Sequence, residues 1–327
     1  MEKPPFTITN SMLSRSILIA QKLERVNSFQ SLKRMPILRK NNQIQSIHSS
    51  LAIEANSLTL DQIRDVIDGK PVVGPKSEIE ETKDAYEAYK IINEYKAFLE
   101  SDLLRAHKII ARTIDSRAGK YRLHGEGVID SKGNIIHIAP PEKMVPSLMN
   151  NLFEWLKNDK ETPVLIKSCV FHYEFVFIHP FKDGNGRIAR LWQNVILMKW
   201  NKNFEYIPIE SKIKKYQDDY YEAIGQSNND GDSNAFIEFM LKMIEETLDD
   251  VLKDEQNESK NISEKVNRLL DVLKFDIPMS ANEIMKKLGI KSKETLRGSY
   301  LNPAIENGLV KMTLPDKVNS KNQKYYK

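Results

Sequence analysis

The sequence predicts a mainly α-helical protein: a helical bundle interrupted by one β-hairpin and followed by a C-terminal winged-helix domain. Three observations carry this. Apolar residues recur at helical spacing over most of the chain. Residues 119–141, GKYRLHGEGVIDSKGNIIHIAPP, instead hold four glycines, β-branched residues and a closing Pro-Pro. The last segment reads as a helix, a helix-turn-helix and two short β-like runs.

The 327 residues, 40% hydrophobic and 29% charged, suit a soluble protein of two or three domains. A net charge of +4 demands neither a nucleic acid nor a membrane, but it is unevenly spread: residues 258–327 carry 14 Lys/Arg against 8 Asp/Glu. The single cysteine, Cys169, excludes an intrachain disulfide and fits a reducing compartment. The early apolar stretch SILIA is too short for an export core or a membrane span, so a cytoplasmic location without membrane contact is expected.

The elements follow in order. An N-terminal helical region covers 1–99. Within it Ile44, Ile47, Leu51 and Ala55 mark one helix face, over about 43–56. Thr59-Leu60-Asp61-Gln62 is a capping box opening a second helix, which Gly69 and Pro71 end. A longer helical run spans roughly 77–99. A core follows over 100–252, beginning with the hairpin, whose turn is SKGN. Helical periodicity returns from Val145 to Leu156. Residues 163–178 are apolar enough for the buried central helix of a bundle. Ile188, Leu191, Trp192, Val195 and Lys199 trace the next helix, 226–234 reads as a polar loop, and 236–252 is helical again. KDEQNESKN, 253–261, lacks hydrophobes and reads as a linker. Residues 262–327 form the winged helix, with Gly289 in its turn.

The chemistry concentrates in residues 179–190, HPFKDGNGRIAR. His179 emerges at the end of an apolar helix that Pro180 stops, and its imidazole suits a base at neutral pH. Gly184 and Gly186 permit backbone angles that let N–H groups converge on an anion, and the helix starting near Arg187 adds its positive end. Arg187 and Arg190, one turn apart, can clamp phosphate oxygens. Asp183 is out of place if only anions bind, and a carboxylate beside phosphates usually holds Mg²⁺. These are parts for moving a phosphorus-centred group from a nucleotide to a hydroxyl. No Walker A loop is present.

The string matches His-x-Phe-x-(Asp/Glu)-Gly-Asn-Gly-Arg-x-x-Arg at every defined position, and so resembles the signature of the Fic family. The resemblance implies a protein adenylyltransferase of Fic-type helical-bundle fold that moves AMP from ATP onto a Ser, Thr or Tyr hydroxyl of a target protein. It implies that His179 is the general base, that Asp183 ligates Mg²⁺, and that Gly184, Asn185, Gly186 and Arg187 form the hole for the α- and β-phosphates. Arg190 would meet the γ-phosphate, and Phe181 would fix the loop in the core.

By the same resemblance the hairpin at 127–141 is a flap that pairs with the target segment, with Ile135, Ile136 and His137 near the nucleotide, unless the isoleucines simply pack inward. Tyr221 and Asn228 are assigned to the adenine and ribose, with the alternative that Tyr220 or Tyr221 is core and Asn228 only begins a turn. Ser50 and Glu54, on one helix face in SSLAIEANSLTL, match the (Ser/Thr)-x-x-x-Glu-(Gly/Asn) pattern of an N-terminal inhibitory helix. Ala55 stands where Gly or Asn is expected. In that type the glutamate pairs with the second arginine of the core motif, here Arg190, and the γ-phosphate loses its partner.

Partners are therefore a target protein, with self-modification and a homodimer compatible with the resemblance. The C-terminal unit adds two branches. One is DNA binding through Lys291, Lys293, Arg297, Lys317, Lys321 and Lys324; the other is a protein-docking or dimer surface. The contrasting readings are a DNA-binding regulator with a Fic sensor core, and a Fic enzyme that uses another donor or removes AMP.

Overall fold

The computed structural model describes residues 3–29, 36–125, 127–129, 135–261, 264–275, 277–318 and 320–327. The chain is mainly helical and divides into two compact units, Met1–Leu23 with Asn42–Leu248, and Glu24–Asn41 with Asp249–Lys327. The expected boundary between 1–99 and 100–252 falls inside the first unit.

The N-terminal helices are α1 (Asn10–Phe29), α2 (Pro36–Ile53), α3 (Leu60–Ile67) and α4 (Lys76–Lys90). The capping box at the start of α3 is complete: Thr59 accepts from the Gln62 N–H and the Gln62 side chain accepts from the Thr59 N–H. The helical run expected over 77–99 is broken. α4 stops at Lys90, a short 3-10 turn takes Ile92–Glu94, and α5 (Glu100–Ile110) starts afresh. The break falls at the β-branched pair Ile91-Ile92, followed by Asn93, a local choice that burial of Ile92 and Tyr95 fixes.

The hairpin is β1 (Gly127–Ile129) antiparallel to β2 (Ile135–Ile138), with Val128 opposite His137 and a bulge at Val128/Ile129. Its expected SKGN turn lies outside the described residues. α6 (Val145–Asn158) leads to α7 (Val164–Ile178), the central helix. It is buried nearly all round, including Lys167, whose ammonium bonds the Asp159 carbonyl at 2.5 Å. α8 (Asn185–Trp200) returns along α7, and Trp192, Phe171, Phe153 and Phe175 are buried at this core. The indole N–H of Trp192 donates to the Ala97 carbonyl at 3.2 Å.

α9 (Ile209–Lys215), α10 (Gln217–Asp230) and α11 (Asn234–Asn261) follow. Two sequence expectations are corrected here. The polar loop expected over 226–234 is helical to Asp230, and the chain turns over residues 231–233, starting at Gly231 with φ 71°. The linker expected over 253–261 is the last part of α11, because Lys, Glu and Gln are good helix formers and no Gly or Pro stops them.

The C-terminal segment comprises α12 (Glu264–Val272), β3 (Met279–Ser280), α13 (Ala281–Leu288), α14 (Lys293–Leu296), α15 (Asn302–Glu306), β4 (Lys311–Met312) and β5 (Lys324–Tyr326). Ser280 and Glu283 form a capping box and Gly289 ends α13 at φ 71°. The strands make one antiparallel sheet in the order β3-β5-β4. Among the described residues no helix is long and apolar enough to cross a membrane.

Candidate active site

His179 is the residue after α7 and adopts the left-handed conformation, φ 48° and ψ 59°. Such angles cost an L-residue about 1–2 kcal/mol, so surrounding bonds must impose them. They are visible. The His179 N–H donates to Phe175 O at 3.0 Å, and its carbonyl accepts from Nε of Arg122 at 2.8 Å. Arg122, itself 5% exposed, also donates to the carbonyls of Ile178, His124 and Pro140, and its own N–H donates to Pro180 O at 2.9 Å. One side chain thus neutralises the carbonyl end of α7 and holds both sides of the hairpin's base.

The loop after His179 is braced from within. Phe181 is fully buried and stacks on His107 of α5, with centroids 3.6 Å apart and planes 5° apart. His107 accepts the Gly119 N–H at Nδ1 and, through Nε2–H, donates to the Asp183 carbonyl, each at 2.8 Å. That fixes the neutral tautomer, and burial lowers its pKa. The Asn185 amide closes the turn on Phe181, accepting its N–H at 2.9 Å and donating to its carbonyl at 2.8 Å. The Asn185 side chain is therefore committed to the loop, and what it leaves to a ligand is main chain. Gly184 precedes α8 at φ 80°, and Ile188 makes the first bond of the helical ladder. The N–H groups of Asn185, Gly186 and Arg187 stand outside that ladder, which is the composition of an anion hole.

The charged side chains are paired. Asp183 keeps an exposed carboxylate whose Oδ1 accepts the Gly184 N–H and NH2 of Arg187. Arg187 is buried and donates to Glu81 of α4 at 2.9 Å. Burial pushes the Glu81 carboxyl up in pKa, against the pull of Arg187. Arg190, 1% exposed, donates to Glu54 at 2.7 Å, to Ser50 Oγ at 3.0 Å and to Ser50 O at 2.9 Å. Burial alone would raise the Glu54 pKa; the charge and hydrogen bond of Arg190 outweigh it, and the carboxyl titrates below its ordinary range. A Cβ at Gly186 would lie 2.3 Å from Glu54 Oε1, so only glycine leaves room for that carboxylate.

Glu54 follows directly on α2, and Ala55 has φ 65°. Asn56 N–H bonds Leu51 O and Ala55 N–H bonds Ala52 O, the paired bonds of a Schellman end. The Gly/Asn preference of the inhibitory pattern thus has a conformational basis, and Ala55 occupies a left-handed position.

Tyr220 is core: its hydroxyl bonds Nε2 of His172 at 3.0 Å. Tyr221 is half-buried, with its pKa raised by burial and then by the Glu54 charge. Asn228 lies on α10, not in a loop. Its Oδ1 accepts from Tyr173 at 2.9 Å, and its buried Nδ2 has no partner among the described residues. Ile135, Ile136 and His137 lie on β2. Arg122, His107 and Glu81 were missed by sequence reasoning. Only His107 left a signal, as a polar residue on the apolar face of α5 beside Leu103, Ala106 and Ile110.

The chain has clear relatives. Residues 97–197 match the Fic/DOC family, and residues 264–326 match the C-terminal domain of the filamentation-induced-by-cAMP protein Fic-like family. It is 33% identical to the protein adenylyltransferase Fic of Nematostella vectensis over 224 residues, 64% of this chain and 49% of that protein. For the protein of the same name from Aedes aegypti the identity is 30% over 221 residues, 64% and 42%. The chain thus spans about half the length of the curated relatives it matches. The crystal structure of a Fic family protein from Desulfovibrio desulfuricans superposes with TM-score 0.76 and 37% identity, covering 99% of this chain and 98% of that one. A Fic-domain signaling protein from Bacteroides thetaiotaomicron, at 21% identity and TM-score 0.62, shares the fold over 73% of this chain and 97% of its own. With its motif loop intact and a full-length relative of the same architecture, the chain belongs to the Fic family.

Proposed function

We propose that this chain is a protein adenylyltransferase that uses ATP with Mg²⁺, restrained by its own Glu54. The observation that carries this reading is the clamp of Glu54 and Ser50 on Arg190, set against Gly186 at the loop that His179 begins. A carboxylate stands where main-chain amides and a guanidinium would otherwise grip phosphates.

In the reaction the acceptor hydroxyl oxygen bonds to the α-phosphorus, the bond from that phosphorus to the bridging oxygen of the β-phosphate breaks, and pyrophosphate leaves. His179 takes the hydroxyl proton. The amides of Asn185, Gly186 and Arg187 oppose charge on the phosphates. Asp183, with an exposed carboxylate, fits a hard divalent cation that shares its shell with phosphates and water, although among the described residues no group of three or more His, Cys, Asp or Glu forms a protein cage. Bound Mg²⁺ would supply charge neutralisation. The unpaired Nδ2 of Asn228 and the half-buried Tyr221 suit the nucleoside. The acceptor is a Ser, Thr or Tyr of another protein or of this chain.

Purified Glu54→Gly protein given ATP labelled at either the α- or the γ-phosphate tests this. Protein label from the α-position alone is expected. Label from γ alone means a kinase, and no label from either removes the reading.

A further inference from the structure

A second cavity, of about 230 Å³, lies beside the motif loop and has no place in the nucleotide reading. Arg117, Lys120 and Lys182 line it, together with Arg122, His124 and Asp115. The loop's own arginines, Arg187 and Arg190, are already paired with Glu81 and Glu54. By contrast, Arg117, Lys120 and Lys182 are exposed and make no ion pair among the described residues. The opposing charge is Asp115, which accepts the Arg117 N–H at 2.8 Å, so three unpaired cations face one carboxylate. Such a concave cluster attracts an anion.

Its position says which anion. Arg122 forms one wall while donating to the carbonyls of His179 and Pro140, so the cavity is tied to the catalytic residue and to the hairpin's base together. Lys182 is inside the motif, between Phe181 and Asp183, and Leu123-His124 lead into the segment of β1. A polypeptide laid beside the hairpin to present its hydroxyl to His179 passes this wall.

We propose that the cavity is an acceptor subsite that takes the side chain of an Asp or Glu close in sequence to the modified hydroxyl. The proposal rests on the adenylyltransferase reading for its acceptor, and binding is therefore measured apart from transfer. Fluorescent peptide pools centred on Ser, Thr or Tyr, flanked by Asp/Glu, by Ala/Gly or by Lys/Arg, are titrated by anisotropy against Glu54→Gly protein and then offered α-labelled ATP. The acidic pool is expected to bind about tenfold more tightly than the Ala/Gly pool, and the Arg117→Glu, Lys120→Glu double variant to reverse the ranking. Its melting shift with ATP should match that of the parent. Acidic preference in binding with no label on either peptide or protein breaks the transfer reading and spares the subsite. Equal binding of all pools, or a ranking that survives the reversal, overturns the subsite. So does saturable binding of inorganic phosphate that the reversal abolishes while the pools bind alike, since the cavity then serves a free anion.

Discussion

Two helix ends meet at the motif loop, and both finish on a non-glycine residue in the left-handed conformation. They are the only such residues among those described: Ala55 after α2 and His179 after α7. Their surroundings differ. His179 is fixed by Arg122 on its carbonyl, by Phe175 behind it and by a buried loop ahead. Ala55 is exposed and held by the Schellman bonds of its own helix. The same conformation is held by tertiary bonds at one end and only by local helix-end bonds at the other. On the proposed function, the end carrying His179 stays in place while the end carrying Glu54 leaves.

The harshest test of the fixed end is His179→Ala. Transfer in the Glu54→Gly background should fall by about 10²- to 10⁴-fold, while the ATP-induced melting shift persists. Retained transfer would remove His179 as the base. For the releasable end, Glu54→Gly should raise transfer about 10- to 100-fold, the worth of one charge-assisted hydrogen bond to the buried Arg190; equal rates would end the inhibitory role. Replacing Arg122 by Gln should cost about 2–3 kcal/mol in denaturant unfolding and speed amide exchange at 176–181. Exchange left unchanged there would mean that His179 is held by other means.

Acid should act on the catalytic side. His172 in α7 gives Nδ1–H to Gln193 and accepts from Tyr220, and burial brings its pKa down to about 3; that of His107, under Phe181, is lowered too. Both are neutral when folded and take up protons more readily when unfolded. Their contribution is complete above the ordinary histidine pKa near 6.5 and is lost as pH falls below it, by up to about 1.4 kcal/mol per pH unit for each. His172→Gln should flatten that slope. The smallest effect belongs to Ala55→Gly, which relieves up to about 1 kcal/mol of left-handed strain and should lower basal transfer by up to about fivefold. Raised transfer would mean that the strain does not bear on release.

The motif loop was legible because its residues are consecutive, and the pairing of Glu54 with Arg190 because the resemblance names both partners. α7 was legible from apolar content and α8 from the spacing of its apolar residues. The three braces were not. Arg122, His107 and Glu81 act across gaps of 57, 76 and 106 residues, and no local spacing marks an arginine that will bond carbonyls. In α10 and α11 polar composition was read as irregular backbone: Lys, Glu and Gln carry α11 on, whereas in α10 tertiary burial of Ser227 outweighs the weak propensity of Ser, Asn and Asp.

Gly186 carries a consequence for how this protein can change over time. The bare α-carbon that leaves the loop's amides open is also the seat of the Glu54 carboxylate. Any side chain there would displace the Glu54 carboxylate, and on the proposed function it would crowd the phosphates too, so this position offers no way to lose the restraint and keep the activity. On that reading, heritable loosening falls to α2 and its exposed end, where a substitution leaves the Gly186 cradle untouched.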